Sequence, residues 1–200
     1  MNNIKIDLRS IGTYKIFTYL SNTLSSFTSF QSQLSTIFGT NDLGTGYRSW
    51  NAATGAGILG TQFKPNSGYL VITRYPRAFD VRIDSNIEFN QNAYGIPISG
   101  TYTFLTYPFA NQLFSTYTSN LCTVFGLNDT ETAYRSWNAG TGAGILGTQF
   151  KSNSGYLIVA KKPFWLLNPS FSPVTTPTNT ITETLTLTPT NTPTISETIS

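Results

Sequence analysis

The chain has 200 residues, of which 12 are Lys or Arg and 9 are Asp or Glu, so its formal net charge is only +3. Charged residues make up 10% of the sequence, against about 25% in ordinary soluble domains, which argues against the clustered basic field of a nucleic-acid-binding protein. The sequence has no histidine and one cysteine, which excludes Ser-His-Asp and Cys-His catalysis, an internal disulfide and nearly every zinc site.

An internal repeat organises most of the chain. Residues 47–72 return as residues 134–159 with only four differences. Residues 27–46 agree with residues 114–133 at nine of twenty positions, so the upstream part of each copy has diverged further. A copied structural module is routine in proteins, whereas a copied active site is unusual.

The repeat divides the chain into three predicted parts. Residues 1–80 are a first repeat module with a leading strand, residues 81–167 are linker strands and a second module, and residues 168–200 are a Thr/Pro-rich stalk or donated strand. A module of about 65 residues buries only about 60% of the surface of its unfolded chain. We therefore expect the copies to pack on each other or on neighbouring subunits.

Each copy is predicted to place one short helix against a mostly antiparallel sheet. Residues 14–20 and 102–107 are rich in Tyr, Phe, Thr and Ile, which favours a strand. The apolar residues that follow are spaced by 3, 4, 3 and 1, which places them on one helical face. These residues are Phe27, Phe30, Leu34, Ile37 and Phe38, with Phe114, Tyr117, Leu121, Val124 and Phe125 in the second copy. Gly39 and Gly126 follow, where a helix would end.

Short strands are predicted after the helix. Residues 47–50 and 69–72 have strand composition, and the glycine-rich residues 51–60 between them indicate turns. Apolar residues alternate with polar ones over 4–8 and 81–89, which predicts strands that lead into each copy. The predicted fold class is therefore α+β with strands predominant.

The C-terminal tail differs in composition from the rest. From Pro173 to Ser200 it contains 12 threonines and 4 prolines but no aromatic or basic residue. Three interpretations are open: a disordered or glycosylated stalk, a strand donated to another subunit, and a polyproline-type spacer. Assembly through the tail would use its alternating threonines, with Thr178, Thr180, Thr182, Thr184 and Thr186 as candidates.

One repeated cluster is a candidate for recognition. Its Arg, Trp and Tyr side chains could stack on and hydrogen-bond a glycan or a peptide, or they could belong to the core. The candidates are Arg48, Trp50 and Tyr69, with Arg135, Trp137 and Tyr156 in the second copy. Asp42 and Asp129 are interpreted as loop residues, and Cys122, which aligns with Ser35, as a small buried side chain. We predict no catalytic residue, no cofactor and no metal ion.

The motif around the tryptophans resembles a repeat module of bacteriophage and environmental viral structural proteins and of some bacterial surface proteins. The matching residues are Trp50-Asn51, Gly55, Phe63-Lys64-Pro65 and Ser67-Gly68-Tyr69, with Trp137-Asn138, Gly142, Phe150-Lys151 and Ser154-Gly155-Tyr156. The second copy has Ser152 where the first has Pro65. The tail is similar to spacers in virion and surface fibres. The resemblance implies a structural role and no catalytic residues.

These observations predict a non-enzymatic structural component of an extracellular assembly, such as a virion fibre, appendage or capsid-decoration protein. Its expected partners are copies of itself, joined through sheet edges and the tail, and other assembly proteins, without nucleic acid or membrane insertion. The expected location is extracellular, on a virion or a cell surface. The alternative is an adhesion or glycan-binding module whose partner is a cell-surface glycan. Buried tryptophans would favour the scaffold and exposed ones the adhesin.

Overall fold

The computed structural model describes residues 12–19, 24–76 and 95–170. The predicted leading strands at 4–8 and 81–89 lie outside the described residues. The candidate tail threonines also lie outside them, namely Thr178, Thr180, Thr182, Thr184 and Thr186.

The first copy folds around one antiparallel sheet whose strand order is β1–β6–β3–β4. These strands are β1 Tyr14–Tyr19, β3 Leu34–Thr40, β4 Tyr47–Asn51 and β6 Ser67–Thr73. Two short strands pair separately, β2 Ser25–Ser26 with β5 Gln62–Phe63. The predicted strands at 47–50 and 69–72 are thus confirmed, as is the described part of the one predicted at 14–20. Each extends over β-branched and aromatic residues that suit a half-buried pleated surface.

The second copy forms an equivalent sheet with the order β12–β11–β10–β14–β8. Its strands are β8 Tyr102–Tyr107, β10 Leu121–Leu127, β11 Tyr134–Asn138, β12 Ala143–Gly144 and β14 Ser154–Ala160. Two further antiparallel pairs are β9 Gln112–Leu113 with β13 Gln149–Phe150, and β7 Gly95–Ile98 with β15 Phe164–Leu167. The registers repeat, since Gly126 opposes Tyr156 as Gly39 opposes Tyr69.

The predicted helix was wrong in both copies, so the described fold is β-predominant rather than α+β. Residues Phe27–Phe30 and Phe114–Tyr117 each form a four-residue 3₁₀ helix, and strands β3 and β10 follow. The register of β3 shifts between Leu34 and Thr36, and Leu34 and Ile37 are both fully buried. A bulge adds one residue and reverses the alternation of faces. A bulged strand therefore reproduces the three-residue spacing of a helix.

The same bulge corrects the prediction for Cys122. The register of β10 shifts between Leu121 and Thr123, and Cys122 is exposed rather than buried. Because the extra residue turns outward, its side chain leaves the core. Among the described residues no helix is long and apolar enough to span a bilayer.

Each copy has its own aromatic core centred on one phenylalanine. In the first copy Phe63 is fully buried, with its ring centroid 4.6 Å from that of Phe27 and 5.0 Å from that of Tyr69. Phe150 repeats this arrangement with Phe114 at 4.6 Å and Tyr156 at 5.2 Å. Such edge-to-face pairs add about 0.5–1.5 kcal/mol each beyond the area they bury.

The two sheets pack on each other through reciprocal contacts. The Thr18 N–H donates to Thr106 Oγ1 at 3.1 Å, and the Thr106 N–H donates to Thr18 Oγ1 at 3.0 Å. Thr18 and Thr106 occupy equivalent positions of the repeat. The same reciprocity holds for the bonds from Tyr14 N–H to the Glu131 carbonyl (2.9 Å) and from Tyr102 N–H to the Gly44 carbonyl (2.7 Å). The contact is therefore isologous, like that of a twofold homodimer.

Two equivalent glycines bring the sheets together. A Cβ atom on Gly68 would overlap the carbonyl oxygen of Phe104, and a Cβ atom on Gly155 would overlap that of Ile16. Ile16 and Phe104 are themselves equivalent and lie, buried, in an apolar cluster between the sheets. Only glycine permits so close an approach of two backbones.

Burial raises the pKa of several tyrosines above the ordinary value of about 10. These are Tyr69, Tyr107, Tyr117 and Tyr156. Desolvation is the main cause in each, and for Tyr107 the neighbouring Tyr117 and Tyr156 add to it. The Tyr107 hydroxyl donates to the Ala110 carbonyl at 3.0 Å, and ionisation removes this donor.

Alkaline pH is therefore expected to destabilise the fold. A pKa that is higher in the folded than in the unfolded chain gives stability that is complete below pH of about 10 and is lost as the pH rises through the folded value. Urea denaturation at a series of pH values should show the free energy of unfolding falling above pH of about 10. Tyr107→Phe should make the fall shallower, whereas Tyr75→Phe, at a side chain 67% exposed, should leave it unchanged. An identical slope in wild type and Tyr107→Phe would contradict this expectation.

Candidate functional site

The predicted recognition cluster separates into core and surface residues. Trp50 and Trp137 are 0% and 2% exposed, and their rings lie 5.4 Å from Phe27 and 5.2 Å from Phe114. They are core residues and cannot stack on a ligand. The arginines Arg48 and Arg135 line two polar clefts at the surface. Tyr69 and Tyr156 line the same two clefts but are only 3% exposed and also belong to the aromatic cores.

The two clefts are the same place in the two copies. The first cleft, about 300 Å³, is lined by Asn41, Asp42, Arg48, Lys64, Ser67 and Tyr69. The second cleft, about 430 Å³, is lined by the equivalent residues Asn128, Asp129, Arg135, Lys151, Ser154 and Tyr156. Strand β4 or β11 supplies the arginine of each cleft, and β6 or β14 supplies the tyrosine.

Local hydrogen bonds fix the walls of the first cleft. Asn41 Oδ1 accepts from the N–H groups of Thr45 (2.9 Å) and Gly46 (3.3 Å), which folds the loop that carries Asp42. On the opposite wall the Lys64 N–H donates to Tyr69 Oη at 2.7 Å. The second cleft repeats both devices, with Asn128 Oδ1 accepting from Thr132 and Ala133 and with Lys151 N–H donating to Tyr156 Oη.

The charges in the clefts are incompletely paired. In the first cleft Lys64 Nζ lies 3.4 Å from Asp42 Oδ1, and in the second Arg135 Nη1 lies 4.0 Å from Asp129 Oδ2. Both pairs are largely exposed, so each contributes little to stability. In the described part of the chain the other cation of each cleft, Arg48 or Lys151, has no ion pair.

The second cleft also differs from the first because an ion pair between the two copies lines it. Lys15, on β1 of the first copy, lies with its Nζ 2.9 Å from Glu131 Oε1. The two side chains are only 20% and 16% exposed, so this pair is better shielded than those inside the clefts. This ion pair adds one cation and one carboxylate to the second cleft and leaves its net charge unchanged. The lining residues of each cleft therefore carry a formal charge of +1.

A second surface feature is apolar. An open aromatic groove of about 590 Å³ adjoins the apolar cluster between the sheets and shares Leu70 and Phe104 with it. Its aromatic lining consists of Phe38, Tyr47, Tyr102, Phe104, Phe125 and Tyr134, accompanied by Leu70, Leu157, Val159 and Thr123. Tyr47 and Tyr134 are 57% and 41% exposed, so the groove opens to solvent at their rings.

Sequence reasoning missed the lysines of the clefts and the groove. Lys64 and Lys151 lie in the repeated stretch whose copies differ at only four positions, so their recurrence does not distinguish them from their neighbours. The groove could have been inferred from the alternation in β4, because Trp50 faces the core and Tyr47 therefore faces the other side of the sheet. The sequence of one strand does not show that this face of the sheet lies against the second copy.

Among residues 12–19, 24–76 and 95–170 no group of three His, Cys, Asp or Glu side chains is placed to hold a metal ion. Comparison of the chain with protein-family models, with curated proteins and with solved structures finds no match.

Proposed function

We propose that this protein is a non-enzymatic structural component of an extracellular assembly, such as a virion fibre, appendage or capsid-decoration protein. It consists of two duplicated domains and a Thr/Pro-rich tail, and it associates with copies of itself and with other assembly proteins. The proposed location is extracellular, on a virion or a cell surface, without nucleic acid or membrane insertion. The observation that carries the proposal is the open aromatic groove of the paired sheets.

The groove has the chemistry of an interaction surface. Large exposed apolar patches on soluble proteins mark contacts with other molecules, and Tyr and Phe are enriched in such contacts. The groove's lining residues are uncharged, so a charged partner would lose hydration there without compensation.

We propose that the tail of a neighbouring chain occupies the groove. Aromatic grooves bind proline-rich segments in several domain families, and the tail contains the uncharged sequence Thr188-Pro189-Thr190-Asn191-Thr192-Pro193-Thr194. Residues 171–200 follow the described part of the chain and could reach at most about 100 Å when fully extended. That reach exceeds the radius of gyration of about 15 Å expected for a globular unit of this size.

Sheet edges offer a second, smaller means of association. The edges of β1 and β8 are occupied within the chain, since the Tyr14, Thr18, Tyr102 and Thr106 N–H groups donate to the other copy. The outer strand of the first sheet is β4, where Leu59 N–H already donates to the Ser49 carbonyl. Pairing between separate chains through sheet edges would therefore use β4 and β12.

The tail is expected to be required for self-association. Light scattering over a wide range of concentrations should find oligomers of the full chain and monomers of a chain that ends at Ser170. Monomers in both forms, or equal oligomers in both, would contradict tail docking.

Groove variants of the full chain provide the matched control. Tyr47→Ser combined with Tyr134→Ser should reduce association, because both exposed rings line the groove. Tyr75→Ser removes a similarly exposed ring that is not part of the groove lining and should leave association unchanged. If the groove variant and Tyr75→Ser reduce association equally, the association is nonspecific and the groove is not a docking site.

A second candidate function is that of an adhesion or glycan-binding module. It is favoured by the two equivalent polar clefts, which contain four of the six residues proposed from the sequence. The buried tryptophans cannot form a stacking platform for a sugar ring, so recognition would rest on hydrogen bonds and charge.

A further inference from the structure

We infer that each polar cleft binds the carboxylate of an acidic saccharide, so that one chain presents two equivalent sites. This inference deepens the second candidate function and rests on it, and it is independent of tail-mediated assembly. The sites belong to different copies, and the isologous packing of the sheets holds them in a fixed relation.

One exposed carboxylate recurs in a stretch where the two copies have otherwise diverged. Within residues 27–46 the copies agree at nine of twenty positions, yet Asp42 and Asp129 are identical although their side chains are 78% and 86% exposed. The neighbouring Asn41 and Asn128 are needed to fold the loop, but in the described part of the chain the aspartate side chains make only their ion pairs. Loop folding therefore does not explain why the aspartates are the same.

Two cations also lie at each cleft. Arg48 and Lys64, with their counterparts Arg135 and Lys151, are exposed or half-exposed and contribute no core packing. A chain with only 12 basic residues places two of them at one cleft in each copy. Their convergence with an aspartate on a defined concavity indicates a ligand.

The balance of charge in each cleft favours an anionic ligand. Each cleft has one cation engaged by aspartate and one without an ion pair, Arg48 in the first and Lys151 in the second. A formal charge of +1 matches a ligand with a single negative charge. Arginine and lysine donate charge-assisted hydrogen bonds to carboxylates.

The remaining polar groups of the clefts suit the hydroxyl groups of a sugar. A carboxylate such as that of Asp42 or Asp129 accepts hydrogen bonds but donates none. It repels a bare anion but can accept from the hydroxyl groups of a sugar. Ser154, which also lines its cleft, can donate to or accept from the same hydroxyls. Its counterpart Ser67 donates to the Pro65 carbonyl at 3.3 Å and can accept from them. Cation, carboxylate and hydroxyl together fit an acidic sugar better than phosphate or a simple organic acid.

Three probes separate these possibilities with the full chain. Methyl glucuronoside carries both the carboxylate and the hydroxyls, methyl glucoside lacks the carboxylate, and acetate lacks the hydroxyls. Ligand-observed NMR titration should show saturable binding of the glucuronoside in the millimolar range, at least tenfold weaker binding of the other two, and weaker glucuronoside binding in high salt. Equal binding of acetate or of the glucoside would overturn the assignment of an acidic saccharide.

Paired variants then locate the binding. Lys64→Gln with Lys151→Gln should weaken glucuronoside binding at least tenfold, whereas Lys161→Gln with Lys162→Gln makes the same change of net charge outside the clefts and should have no effect. Asp42→Asn with Asp129→Asn should reduce the preference for the glucuronoside over acetate. Equal losses in the two lysine pairs, or an unchanged preference in the aspartate pair, would overturn the proposal.

The outcome is distinguishable from that of the assembly experiments. All these substitutions are at exposed or largely exposed positions, so circular dichroism should show an unchanged fold. A chain that is monomeric with and without its tail but binds the glucuronoside would refute tail docking and leave the clefts assigned. An oligomer that does not bind the glucuronoside would do the reverse.

Discussion

Replacing Gly68 with alanine is expected to lower the free energy of unfolding by about 3 kcal/mol or more, and Gly155→Ala should do the same. In each case the new methyl group would overlap a carbonyl oxygen of the other sheet. The obstacle is backbone within a strand rather than a flexible side chain, so β1 and β8 cannot yield without disturbing their pairing with β6 and β14. Forcing extra atoms into a well-packed contact usually costs about 1–3 kcal/mol, and these positions offer less room than most.

Gly46→Ala is the matched control, because a Cβ atom there would meet nothing closer than the Asn41 amide nitrogen at 3.8 Å. It should change stability by less than about 0.5 kcal/mol. The measurement is urea denaturation followed by circular dichroism. Because both glycines serve the same interface, the double variant should lose less than the sum of the two single losses. Full additivity, or a Gly68→Ala variant as stable as Gly46→Ala, would mean that the sheets do not approach as closely as described.

The strands of this fold could be predicted from the sequence. The wrong prediction of a helix could not be avoided from the spacing of apolar residues alone. Residues 47–50 and 69–72 have the composition of strands and form strands. Residues 34–38 have apolar spacing typical of a helix, but the bulge beside Ser35 produces that spacing in a strand. The Ser and Thr content of this stretch was the contrary signal, and it was the more reliable one because no helical packing partner compensated for it.

The site was predictable in composition but not in arrangement. The sequence identified Arg48 and Tyr69 because they recur, and it grouped Trp50 with them because the three lie in one motif. In the fold Trp50 lies in the core, and the cleft gains Asp42 and Lys64 from other segments. Which side chains meet was decided by pairing between distant strands, and a single sequence does not encode that pairing locally.

The isologous contact also explains how repeat copies with such small cores form a stable fold. Each copy has few charges and a core of modest size, so an isolated copy would gain little from burial. The sheets hide apolar side chains such as Ile16, Leu70 and Phe104 from water by packing on each other. The aromatic groove is where that covering stops, and association with a partner would complete it.

Phe63→Ala is expected to cost about 3–5 kcal/mol of folding free energy, as is Phe150→Ala in the second copy. Both rings are fully buried at the centre of an aromatic cluster, so their removal leaves a cavity that neighbours on several strands cannot fill. Ile58→Ala, at a side chain 75% exposed, should change stability by less than about 0.5 kcal/mol.

The same variants test whether the copies unfold together. With Trp165 replaced by Phe, Trp50→Phe leaves Trp137 as a reporter on the second copy, and Trp137→Phe leaves Trp50 on the first. Because β1 and β8 each belong to a sheet and to the contact between sheets, loss of the first copy exposes the buried face of the second. We therefore expect Phe63→Ala to shift the urea midpoints of both reporters equally. A shift seen by Trp50 but not by Trp137 would show that each aromatic core unfolds separately and that the reciprocal contact contributes little to stability.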